Sequence, residues 1–142
     1  MPSLHPFIIH FPIALLTVGL LAEACARLFK TSDLSRAGWW AQLAGTSGLA
    51  AAVGSGLIAK ESAGLNDNLV RLALGTHEQW ALGSMALFAL LLFWRIASRT
   101  QVPAHPRFLY MVLYGIAVVA LCLTAWYGGE LVYGMGVGVS PR

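Results

Sequence analysis

The chain has 142 residues, 58% of them hydrophobic and only 11% charged, with a mean hydropathy of +0.70. A soluble domain carries charge on roughly a quarter of its residues, so these values exclude an ordinary water-soluble domain and put the chain in the membrane class. A net charge of +3, carried by basic residues scattered over loop positions, is too small for a nucleic-acid surface.

The first apolar run starts at Pro6 and reaches Ala22 without a charge. It opens with MPSLHPFIIHFP and meets no Lys or Arg before Arg27. A secretory signal needs a basic segment ahead of its apolar stretch, so this run is expected to remain as a helix. A spanning helix takes about 20 apolar residues, and the run fits a helix over 6–29. Proline suits a first turn. Pro12 either leaves a carbonyl unpaired close to His10 or marks a helix that starts at Phe11. Glu23 and Arg27, four residues apart on one face, read as an interfacial ion pair.

The second run gives a helix over 37–59, with Ala44, Gly48, Ala52 and Gly56 recurring every four residues. Such a ridge of small side chains lets another helix, or a flat cofactor, approach closely. The loop after it, Lys60–Gly75, is the longest, with room for a short surface helix over Asn68–Leu74. The third helix is expected over 76–98 and the fourth over 107–129. The segment Gly128–Val139, GGELVYGMGVGV, has five glycines in twelve residues. That is poor helix material and reads as a tail folding over the end of the bundle. Met135 within it suits apolar packing, or soft axial ligation of a haem.

These elements define an all-α membrane protein, one domain over 1–142 consisting of a four-transmembrane-helix bundle. Arg27, Lys30, Arg36, Arg95, Arg99 and Arg107 flank the first and third loops, against Lys60, Arg71 and Arg142 on the other side. The positive-inside rule then puts both termini on the outer, periplasmic side of a bacterial inner membrane. Cys25 and Cys122 form neither CxxC nor CxxCH, which excludes covalent c-type haem and thiolate-bound zinc.

The histidines carry the functional reading. His5 and His10 begin the first helix and His77 begins the third, all on the outer side at similar depth; His105, between Pro103 and Pro106, is a loop residue. Two facing imidazoles in a four-helix bundle can ligate one b-type haem. His10 and His77 are the expected ligands, with His5 behind them and Phe7, Phe11 and Trp80 as apolar walls. Lys60 and Arg71 are expected to serve the propionates. The alternative is a copper or zinc ion on His5, His10 and His77. No nucleophile–base set or phosphate loop is present, so the chain is not expected to be an enzyme on its own.

Three segments, HPFIIHFPIALL at His5–Leu16, Thr76–His77, and GGELVYGMGVGV at Gly128–Val139, resemble the DUF2231 family of four-helix bacterial membrane proteins. The resemblance covers almost the whole chain. The family often has a charged residue followed by an aromatic residue or His before the GVGV ending, where this chain has Gly134 and Met135. An acidic residue is expected after the Gly-rich stretch of the second helix, where Lys60 and Glu61 stand here. Related domains resemble parts of larger proteins with Rieske or cytochrome c domains, which implies redox chemistry on the outer side. The expected function is a small haem-b-binding electron-transfer subunit working with a quinone or a cytochrome c or Rieske-type partner. The alternative is a non-catalytic docking subunit of a larger respiratory or photosynthetic complex, or a homo-oligomer.

Overall fold

The computed structural model describes residues 8–62, 67–99, 101–102 and 107–137. Four helices, α1 (His10–Leu28), α2 (Ser32–Ser62), α3 (Asn68–Ala97) and α4 (Arg107–Gly129), are each long and apolar enough to cross a membrane. His5, Pro6, Phe7, His105 and the last residues of the glycine-rich segment lie outside the described residues.

Two expected boundaries are corrected. The third helix starts at Asn68 rather than near Thr76, so the expected surface helix is its first two turns. Asp67 is the reason: its carboxylate accepts the Leu69 N–H at 2.8 Å and caps the helix. At 30 residues α3 is about 45 Å long, and His77 lies about 13 Å along it, not in its first turn. The glycine-rich segment also stays helical as far as Gly134. After Gly129 the chain widens into a π-helical turn, Glu130–Gly134, closed by Met135 N–H donating to the Glu130 carbonyl and Val137 N–H to that of Leu131. Backbone near lipid must satisfy its own hydrogen bonds, and that demand outweighs the low helix propensity of glycine.

The helices are ordered α1–α2–α3–α4 around the bundle, and the diagonal pairs make no close backbone approach among the described residues. Packing is tightest within the hairpins α1/α2 and α3/α4. Glycines set the first of these. A Cβ on Gly45 would come within 2.7 Å of the Leu16 side chain, and one on Gly48 within 3.3 Å of Phe11. The expected ridge is thus shifted: Gly48 and Ala52 face inward, but Ala44 is exposed and Gly45 takes the contact.

The core between the two ends is built from Leu16, Leu49, Phe88, Leu91, Tyr114, Ala117 and Leu121. Outward, Val18, Leu21, Leu90, Phe93, Ile116, Val119 and Trp126 are exposed. Such a continuous apolar surface needs lipid around it.

Two buried tyrosines give a contrasting prediction. Tyr110 donates its hydroxyl to Gln42 Oε1 at 2.8 Å, whereas the Tyr114 hydroxyl has no partner among the described residues. Tyr110→Phe is expected to destabilise by about 1–2 kcal/mol, and Tyr114→Phe to be neutral or slightly stabilising. Unfolding midpoints of the two variants in one detergent check the contrast, and equal losses would contradict it.

Candidate functional site

At the end of the bundle where α1 starts and the π turn follows α4, residues of all four helices and the π turn line an apolar cavity of about 280 Å³. Ile9, Pro12 and Ile13 come from the start of α1, and Ala52, Val53 and Gly56 from α2. His77, Ala81 and Leu82 of α3 and Leu121, Thr124 and Gly128 of α4 form the opposite wall. Leu131, Val132 and Val137 close over it. This explains the glycine-rich ending: a helical continuation puts apolar side chains across the cavity. A π turn is a frequent mark of a functional site.

His77 is the best-positioned polar group there. Its Nδ1 lies 3.0 Å from the Thr124 carbonyl oxygen. A carbonyl only accepts, so Nδ1 carries the proton and the lone pair sits on Nε2. The ring also packs against Gly128, where a Cβ would come within 3.0 Å of His77 Cε1. Thr124 is itself held, donating its hydroxyl to the Ala120 carbonyl at 2.9 Å, with Ser84 Oγ 3.2 Å from its Oγ1. A carbonyl behind Nδ1 is the usual support of a ligating imidazole. The second polar feature is an ion pair between Lys60 and Glu78, both on the cavity lining.

The other expected site residues are placed differently. The start of α1 is level with His77, because Ile9 and Ile13 line the same cavity. His10 itself is exposed and does not line it, so the two imidazoles are not brought into one cavity. Phe11 and Trp80, expected as walls, are exposed, and Met135 is not on the lining. Lys60 reaches the cavity; Arg71, on the added turns of α3, is exposed and does not. His5 lies outside the described residues. Among the described residues, no three His, Cys, Asp or Glu side chains stand together as a metal site.

The opposite end holds a polar cluster that the sequence reading resolved only in part. Glu23 does pair with Arg27, at 3.1 Å. Its main partner is Arg95 of α3, and both side chains are sealed from solvent. Arg95 also donates to Gln42 Oε1 and to the Ser35 carbonyl, each at 3.0 Å, and lies 5.5 Å from the centre of the Trp39 ring. Ser35 Oγ donates to the Glu23 carboxylate at 3.2 Å. Arg95 was counted with the loop charges, and that is corrected: it is a buried partner of Glu23. The available signal was Gln42 and Arg95 standing inside apolar runs, since polar groups within spanning segments pair with one another.

Four spanning helices and a lipid-facing apolar surface define a multi-pass membrane protein, here with a partly open apolar cavity that carries one anchored imidazole. The chain belongs to the DUF2231 family of predicted membrane proteins, whose model matches residues 1–141. No curated protein and no solved structure matches it.

Proposed function

We propose that the chain is a small electron-transfer subunit of a larger membrane redox complex, with its redox group in the cavity beside His77. The observation that carries this reading is the His77 imidazole, held through Nδ1 on the Thr124 carbonyl, at the wall of an apolar cavity. A b-type haem is the first group to test. Such a group supplies one-electron chemistry, while the protein contributes ligation, burial and nearby charge. His77 is the protein ligand in this reading, and Lys60 is the cation near enough to the cavity to meet a propionate. The outward direction of His10 argues against a pair of imidazoles from α1 and α3.

A lipophilic quinone is the second reading, favoured by one imidazole and one Lys–Glu pair in place of two imidazoles. Lys60 donates to a quinone carbonyl, and His77 Nε2 accepts from a quinol hydroxyl. A docking subunit without a redox group is what remains if both fail. Copper or zinc held by His5, His10 and His77 draws no support from the described residues. In the proposed orientation the His77 end faces the periplasm across the inner membrane, because Arg27, Lys30, Arg36, Arg99 and Arg107 stand at the other end.

The test is the absorbance spectrum of detergent-purified protein from haem-supplemented cells, oxidised and then reduced. A Soret band and a sharp reduced band are expected, lost in His77→Ala and retained in His10→Ala. Bands lost only in His10→Ala would overturn the assignment of His77. A colourless preparation that releases quinone into organic solvent, less of it from His77→Ala, would favour the second reading. A preparation with neither would sink both.

A further inference from the structure

At the end opposite His77 a second cavity, of about 150 Å³, opens between the helix ends. Its polar lining comes from Glu23, Arg27, Thr31, Ser35, Gln101 and Arg107. The charges around it do not balance. Glu23 is its only carboxylate among the described residues, and that carboxylate is engaged by both Arg95 and Arg27. Arg107 adds a further positive charge on the lining. Asp33, the next nearest acid in sequence on this side, is exposed on the first turn of α2 and does not line the cavity. The guanidinium Nε of Arg27 is buried with no hydrogen-bond partner among the described residues.

Two features therefore bear on what the cavity can hold. One buried carboxylate faces two guanidinium groups, and the exposed Arg107 adds a third cation, so the positive charge here exceeds the negative. An arginine N–H donor is also sealed from water without an acceptor. A phosphate oxyanion answers the first, and would meet the second only if the Arg27 guanidinium turned toward the cavity. It accepts several hydrogen bonds, matches the fork of a guanidinium, and accepts from the hydroxyl of Thr31, the Ser35 hydroxyl being given to Glu23. We infer that this cavity binds a phosphate group between Arg27 and Arg107. Basic pockets between helix ends at a membrane surface are suited to lipid headgroups, and soluble phosphate offers the same chemistry. The site is independent of the His77 cavity and of whatever that cavity holds.

The experiment measures the unfolding midpoint of the full chain, delipidated in a neutral detergent, by tryptophan fluorescence. The probes are phosphatidylglycerol, phosphatidylcholine and inorganic phosphate, added separately. A ligand of the folded state raises the midpoint in proportion to its occupancy. A rise of several degrees with phosphatidylglycerol is expected, at least halved in Arg107→Gln. That side chain is exposed, so the variant is expected to fold. Arg36→Gln is the control: it removes an exposed charge from the same end without touching the lining, and it should keep the full rise. An equal rise with inorganic phosphate would assign the site to the soluble ion; a rise with phosphatidylglycerol alone assigns it to lipid. Equal losses in Arg107→Gln and Arg36→Gln would mean diffuse surface attraction and overturn the proposal. So would a rise unchanged in Arg107→Gln, or no rise with any probe.

Discussion

Replacing Arg95 with alanine is expected to cost about 3–5 kcal/mol of stability, the largest effect of any single change in this bundle. The guanidinium joins three helices, through Glu23 of α1 and through Ser35 and Gln42 of α2. Removing it leaves the Glu23 carboxylate, 1% exposed, with Arg27 as its only remaining charged partner among the described residues. It also takes a donor from Gln42 Oε1, which would keep only the Tyr110 hydroxyl. Replacing both charges with apolar residues of similar volume, Glu23→Leu with Arg95→Met, should recover most of the loss, because no buried charge is then left alone. The check is the denaturation midpoint of the three proteins in one detergent. A double variant as unstable as Arg95→Ala would show that the cluster acts through shape and hydrogen bonds rather than through charge.

The second large effect is expected at Gly45. Its Cβ position lies 2.7 Å from Leu16 Cγ and 3.2 Å from Leu15 Cβ, and Leu16 is fully buried in the core. No rotamer of Gly45→Val avoids that contact, so α1 and α2 must move apart. Overpacking of this kind costs about 1–3 kcal/mol. Pairing Gly45→Val with Leu16→Ala should return part of the loss, and its failure to do so would move the cause away from the α1/α2 contact. Gly54 is the control, since a Cβ there meets nothing within 4 Å; Gly54→Ala should be neutral or slightly stabilising on helix propensity.

The two ends of the bundle have different physical characters. The Arg95 end is locked by an ion pair that ties α1, α2 and α3 together. The His77 end is apolar and open enough to hold a ligand. Between them Leu16, Leu49, Phe88, Ala117 and Leu121 form an apolar barrier. Under the proposed function, ligand exchange at the His77 end would occur while the other end keeps the helices in register.

Composition and the spacing of apolar runs were enough to settle four spanning helices and their antiparallel order, while the family was legible in the motifs at His5–Leu16, Thr76–His77 and Gly128–Val139. These are local properties: the bilayer demands about 20 apolar residues per crossing, and the sequence displays them directly. The Glu23–Arg27 pair was legible for the same reason, as four residues is one helical turn. The tertiary structure decided what depends on rotation of one helix against another. It turned His10 outward while turning Ile9 and Ile13 inward, although all three stand in one short segment. It brought Arg95 to Glu23 across 72 residues of chain, and put Gly128 of α4 against the ring of His77 of α3. Helical periodicity shows which residues share a face of one helix. It does not show which faces meet, because that follows from close packing of all four helices at once.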